Sequence, residues 1–329
     1  MARQRVFLLS VTLTIMAAMP ALGQEAAPVS GPARARSTAS TPDFFGVWNH
    51  PSFPWYEPPA SGPGPVTNRS RWPYIVNQQS SFGGGSPGLP PSRDGQGVSD
   101  YDQLVGDYTN PILQPWAAAV VKKFGEISLA GITYPNPSNQ CWPEPVPFIF
   151  KRVQMQMIQQ ADKITILYGE DHEVRWVRLN RPHPTPVTPS WHGDSVGHYE
   201  GDTLVIDTIG VRTDHPYAMI DLFGTPYTKS LHVVERYRLR DYDDVRDAIE
   251  RNLKENWQAG GDVFSRHRGK FLQLHLTIED EGVFTAPWTA TLTYVPARND
   301  QLREDVCAEN MQFYPHKNAA VPTAVKPDF

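Results

Sequence analysis

The stretch VQMQMIQQADKITILYGEDHEVRWVRL, residues 153–179, carries the fold class. Residues 153–159 alternate apolar and polar side chains, the period of two that belongs to a strand with one buried face. Ala161 and Asp162 make a turn into KITILY (163–168), and Gly169 to His172 make another into EVRWVRL (173–179). Short strands separated by turn residues read as antiparallel hairpins. The same texture continues downstream. Residues 194–200 and 202–209 pair about Glu200-Gly201-Asp202, and 231–240, 271–278 and 289–295 are three further strands. With FFGVW (44–48) upstream, the chain holds about nine. That number suits a mainly β fold, an antiparallel meander closed into a barrel or a strongly curved sheet, because open edges need protection.

Around this β core the texture differs. Residues 51–91 contain ten prolines and Gly83-Gly84-Gly85, yet also Trp55, Tyr56, Trp72, Tyr74 and Phe82. No helical or strand period survives there. We expect a long irregular segment, 51–110, that wraps the barrel and uses its aromatics as anchors. Residues 112–129 read as a peripheral helix with Trp116, Val120, Phe124 and Ile127 on one face. The insertion at 241–269 carries a second, charged helix over 244–254, expected to be a solvated face.

Arg3 and Arg5, an apolar run from Val6 to Ala18 and the small-x-small site Ala21-Leu22-Gly23 make 1–23 a secretory signal peptide. Residues 24–42 are an Ala, Ser, Pro and Thr-rich linker, 43–313 the folded domain and 314–329 a polar tail. The expectation is a periplasmic or secreted protein with no membrane span. In such a compartment Cys141 and Cys307 are expected to form a disulfide; two separate buried thiols are the alternative. A net charge of −5 argues against a nucleic-acid partner, and two cysteines exclude a Cys-rich zinc domain.

The hairpin SVGHYEGDTLVIDT (195–208) resembles the hallmark of a family of exported bacterial proteins of unassigned function, whose pattern runs near G-x-W-E-G-D-T-L-V-V-D-T. LHVVERY (231–237), FTAPWT (284–289) and DVCAEN (305–310) fit the same resemblance. Tyr199 stands where that pattern has Trp. The resemblance implies export and a shared fold, and no reaction. Gly46-Val47-Trp48 is similar to the Gly-x-Trp that opens the first strand of lipocalins, which implies a calycin-like barrel able to hold a small ligand.

Several titratable groups lie in strands. In WHGDSVGHYE (191–200), His192, Asp194, His198 and Glu200 have even spacing and share one face if the strand is regular. That set suits acid–base chemistry, or a divalent metal on His192, Asp194 and His198. Gly193 and Gly197 argue for bends that break it. In 231–239, Glu235 falls on the apolar face with Leu231, Val233, Tyr237 and Leu239. A carboxylate there either has a raised pKa useful for proton transfer or pairs with an arginine such as Arg175. GDSVG (193–197) matches the letters of a nucleophile elbow, but Ser195 lies in an all-β run without the helix an elbow needs.

These readings converge on an exported enzyme needing no cofactor, with a divalent metal as the competing occupant. It would carry out isomerisation, elimination or hydration of a small organic substrate in a barrel pocket. His198 is the expected base, Glu235 the acid or orienter, Asp207 the group that fixes the imidazole and His232 the reserve. A non-catalytic small-molecule-binding barrel and an envelope protein docking a partner are the alternatives.

Overall fold

Each strand expected from the period-two pattern forms. The computed structural model describes residues 41–50, 56–69, 104–130, 134–151, 154–169, 171–255, 266–297, 301–303 and 305–307. In chain order the strands are β1 (Gly46–Asn49), β2 (Gln154–Gln159), β3 (Lys163–Tyr168), β4 (Val174–Leu179) and β5 (Asp194–Glu200), then β6 (Thr203–Ile209), β7 (His232–Arg240), β8 (Phe271–Glu279) and β9 (Trp288–Pro296). They close into one barrel in which each strand neighbours the next and β9 returns to β1.

The expected antiparallel meander needs one correction. Strands β4 and β5 run parallel, with Val177 opposite Ser195 and Leu179 opposite Gly197, so the barrel is mixed. A hairpin reverses the chain, whereas a parallel neighbour requires the chain to be carried back along the wall. Residues 180–193 do this, and Pro182, Pro184, Pro186 and Pro189 keep that crossover out of the sheet.

Alternation assigns the inside of the barrel. Met155, Met157, Ile164, Ile166, Val177, Ile206, Val233, Leu272, Leu274, Leu276 and Ile278 are buried on the inner face. Opposite residues on the same strands, such as His198 and His275, face out. Gly197 is inside because space is short: a Cβ there would meet Val177 Cγ1 and the Val205 carbonyl, each at 3.0 Å.

Two helices pack outside. The first, α1 (Pro115–Leu129), buries Ala117, Val121, Phe124 and Gly125. That corrects the expected face of Trp116, Val120, Phe124 and Ile127. The helix approaches its neighbour through Gly125, where a Cβ would come within 2.9 Å of Val105 Cγ1. Trp116 lies along the surface instead, its Nε1 donating to the Gly282 carbonyl at 2.7 Å. The second, α2 (Tyr242–Glu255), is not wholly solvated: Val245 and Ile249 pack with Phe271 and Val295.

The wrapping segment is described at 56–69 and 104–110. Tyr56 is buried and its hydroxyl donates to the Pro147 carbonyl at 2.9 Å, with that of Ile220 at 3.1 Å. Glu57 exchanges two backbone hydrogen bonds with Thr291, continuing the line of β1 along β9. Trp55, Trp72, Tyr74 and Phe82 lie outside the described residues, as do the leader 1–23, the linker up to residue 40 and the tail 314–329. No helix among the described residues is long and apolar enough to cross a membrane.

Cys141 and Cys307 form a disulfide with a Cα–Cα distance of 5.4 Å and a sequence separation of 166. Cys307 is also tied by its backbone N–H to Asp171 Oδ1 at 2.9 Å, in the turn between β3 and β4. The bridge thus fastens both the 134–145 segment and the chain after β9 to one end of the barrel. Reduction, or Cys307→Ser, is expected to lower unfolding free energy by about 2–5 kcal/mol, since the loop it closes is long. Urea unfolding with and without reductant measures this; coincident curves would contradict it.

Candidate functional site

A charged pair sits where the apolar pattern forbids one. Arg175 of β4 and Glu235 of β7 both point into the barrel and are fully buried. Arg175 Nη1 donates to Glu235 Oε2 at 3.0 Å and Nη2 to Oε1 at 2.5 Å. Nη2 also reaches Thr208 Oγ1 at 2.6 Å, and Nε reaches Ser195 Oγ at 3.0 Å. The Tyr237 hydroxyl donates to Glu235 Oε2 at 2.9 Å. Burial works against the guanidinium charge, and Glu235 with Tyr168 and Tyr237 overcomes it, so Arg175 is held protonated. The pair survives burial because its donors and lone pairs are met.

From this pair a run of packed side chains leads to the end of the barrel at which the disulfide is fastened. Tyr168, at the end of β3, is buried beside Arg175, and burial pushes its hydroxyl up to about 12. That hydroxyl makes no hydrogen bond of regular geometry among the described residues. The Tyr168 ring stacks on His192, with centroids 6.4 Å apart. His192 Nε2 is 2.7 Å from Glu173 Oε2. Glu173 in turn accepts from the backbone N–H of Glu144 at 2.9 Å. Glu144 is buried and receives Ser138 Oγ at 2.6 Å and Lys151 Nζ at 3.1 Å.

Burial, then the Arg175 charge, push the His192 imidazole down to about 4, against a smaller upward pull from Glu144. The ring is therefore neutral at neutral pH. With Nε2–H donating to Glu173, Nδ1 carries a free lone pair. The ring remains partly open, its side chain 15% exposed. An imidazole that is neutral, oriented by a carboxylate and reachable has the features of a general base.

A cluster of rings neighbours this group along the chain. Trp142 stands edge-on to Trp191 and Tyr217, each at 5.6 Å, and stacks on His215 at 6.2 Å. Arg212 lies over the Trp191 ring at 4.9 Å. Trp142 follows the bridged Cys141 and is 37% exposed. The cluster and the His192–Glu173 pair are joined through two short stretches, 141–144 and 191–192.

The residues expected to act together are separated by the barrel wall. Glu235 lies inside, in the pairing with Arg175 offered as its alternative role. His198 faces out, half-exposed, with Nε2 3.0 Å from Glu200 Oε1. Asp207 and His232 also face out: His232 Nε2 is 3.0 Å from Asp207 Oδ2 and its Nδ1 is 3.2 Å from Glu279 Oε2. His198, Glu235 and Asp207 therefore do not meet. The physical reason is parity. His198 and Asp207 have the register positions of the outer face, and Glu235 has that of the inner face. Of the two bends expected in the 192–200 cluster, the one at Gly193 forms and the one at Gly197 does not, since Gly197 lies in register within β5. Gly193, with φ +71°, bends the chain, so His192 turns to the barrel end while Asp194, His198 and Glu200 stay on the outer wall. Among the described residues no three His, Cys, Asp or Glu side chains gather so as to hold a metal ion. Ser195 points inward and is bonded to Arg175 and Thr208.

Sequence reasoning missed Glu173, Glu144, Tyr168 and the rings at 142, 191, 215 and 217. Only Trp142 left a trace, as a large aromatic beside a cysteine. The others converge through loops.

Glu235→Gln leaves a buried guanidinium uncompensated and is expected to destabilise the protein by about 3–5 kcal/mol. Arg175→Met combined with Glu235→Leu should recover most of that loss. Chemical unfolding of the three proteins checks both, and a single variant as stable as wild type would contradict the pairing argument.

Compared with protein-family models, curated proteins and solved structures, the chain matches none.

Proposed function

We propose that this is an exported enzyme that needs no cofactor and uses His192 as a general base at the disulfide-closed end of the barrel. The observation that carries the reading is the His192–Glu173 pair: a neutral imidazole, bonded at 2.7 Å to a carboxylate and stacked on Tyr168, with no hydrogen bond to Nδ1 among the described residues. The signal-like leader and the disulfide support export.

The chemistry follows from the groups present. His192 Nδ1 takes a proton from the substrate, and Glu173 stabilises the imidazolium that forms, as a buried carboxylate does for a catalytic histidine. Tyr168, protonated at neutral pH, backs the imidazole with its ring while its hydroxyl stays buried beside Arg175. Returning the proton elsewhere on the substrate gives isomerisation; delivering it to a departing hydroxyl eliminates water, and the reverse, in which Nδ1 takes the proton from water and passes it to the substrate carbon, gives hydration. The Trp142 and Trp191 rings suit a small substrate with a flat or ring-shaped apolar part. The interior at the level of Arg175 is filled by side chains, which favours the end of the barrel over its centre.

The test needs no prior substrate. Wild-type protein, His192→Gln and Glu173→Gln are each incubated with a small-molecule extract, and the mixtures are compared by mass spectrometry. The expected result is at least one compound consumed by wild type and spared by both variants, its mass unchanged or altered by one water. No such compound would sink the enzymatic reading. An unaltered compound retained by wild type and lost in Trp142→Ala would establish a binding barrel instead.

The pH profile has a stated sign. The base works only as the neutral ring, whose pKa is depressed to about 4. Turnover should persist well below the ordinary histidine range and fall as pH drops through about 4. Loss of rate already near pH 6.5 would contradict the assignment.

A further inference from the structure

The crossover 180–193 that makes β5 parallel to β4 is poorly held by its backbone. Its backbone hydrogen bonds lie at its ends: Asn180 N–H to the Gly197 carbonyl at 2.7 Å, Ser190 N–H to that of Gly210 at 3.1 Å, Arg212 N–H to that of Ser190 at 2.9 Å and Gly193 N–H to that of Ser190 at 3.2 Å. Among the described residues, none forms between 181 and 189, where four prolines lack the donor. The side chains of this middle part are exposed except those of His183 and Val187. Val187 covers Gly210, where a Cβ would come within 2.4 Å of it.

His183 enters a line of alternating charges on the outer wall. Its Nδ1 is 2.6 Å from Asp194 Oδ1 on β5, and its Nε2 is 2.9 Å from Asp207 Oδ1 on β6. Asp207 holds His232 of β7 through its other oxygen, and His232 reaches Glu279 of β8. Arg178 of β4 closes the line on Asp194 at 2.7 Å. Each imidazole thus has a carboxylate at both nitrogens, and only the imidazolium has two N–H donors to satisfy both.

We propose that this array is a proton-dependent fastening that clamps the crossover to the outer wall of the barrel and so sets the position of His192 at the crossover's far end. The fastening is argued from the array alone; its effect on turnover rests on the reading of His192 as the base, which makes His183, Asp207 and His232 positioning residues. The groups facing His232 are Asp207 and Glu279, with His183 across the shared Asp207 and, beyond it, Asp194 and Arg178.

The sign follows from His232. Its hydrogen bond to Asp207 raises its pKa to about 8, against the opposing effect of burial. A folded-state pKa above the unfolded value stabilises the folded form fully below about 6.5, and the contribution is lost as pH rises through about 8. His183 has the same two-carboxylate geometry, and a neutral ring there must release Asp194 or Asp207, so the crossover should loosen on the alkaline side.

Amide hydrogen exchange on the full chain, without substrate, tests this. Protection factors at Asn180, Ser190 and Gly193, corrected for the intrinsic pH dependence, are compared at about pH 6 and about pH 9.5. The expected result is a fall of about three- to tenfold, limited by the partial exposure of the array, while Leu276 in β8 keeps its protection. Asp207→Asn and His232→Gln should abolish the step, with the first weak at both pH values. Equal protection at both pH values in wild type, or a step that survives in both variants, overturns the proposal. If the variants do not fold, the wild-type comparison with Leu276 still decides. Absence of the step in wild type with turnover intact would refute the fastening alone; a wild-type step without turnover would refute only the chemistry at His192.

Discussion

The rest of the barrel is arranged around the Arg175–Glu235 pair. Two opposite charges on β4 and β7, strands that are not neighbours, must both point inward and meet across the interior. A slip of one residue in either strand would turn its charge to the outer face and leave the partner buried alone, at severe cost. The pair thus fixes the parity of two strands independently of the apolar pattern. Ser195 and Thr208, from β5 and β6, complete the donor and acceptor set, so four successive strands share one register constraint.

The same interaction governs the end of the barrel. A positive charge held inside works against a second one nearby, and His192 is the group that feels it. Burial first, and then the guanidinium, keep that imidazole neutral while Glu173 orients it. The buried pair and the barrel end are linked here: the guanidinium that fixes strand parity also adds to the burial that lowers the His192 pKa. The disulfide anchors the other side, since Glu144, which holds Glu173, and Trp142 follow directly from Cys141.

Much of the fold was legible because burial imposes a period of two. The nine strands, the leucine face of β8 and the inward Glu235 follow from alternation, and the disulfide follows from compartment and cysteine count. The parallel step was not legible, because the crossover 180–193 looks like any proline-rich loop until its two ends are placed in space. That the candidate residues would not all meet was not legible for a related reason. Proximity in sequence drew attention to 192–200, but Gly193 sends His192 to a different place from His198. Glu173, Glu144 and Trp142 meet His192 or its neighbours from separate loops, a coincidence that no local pattern encodes.

The seam between β1 and β9 has a kinetic meaning. It is made by two residue pairs, Trp48 with Pro296 and Asn49 with Val295, and extended by Glu57 against Thr291. Strands β2 to β9 follow one another along the chain, so most of the wall can zip from local contacts. Strand β1 must instead find β2 across residues 50–153 and β9 across almost the whole domain. Contacts of such separation dominate relative contact order, which slows folding. Their entropic cost grows only logarithmically with loop length, so the penalty falls on rate more than on equilibrium stability. Closure is thus the non-local event of this chain, joining its two extremes after the open sheet has the means to form.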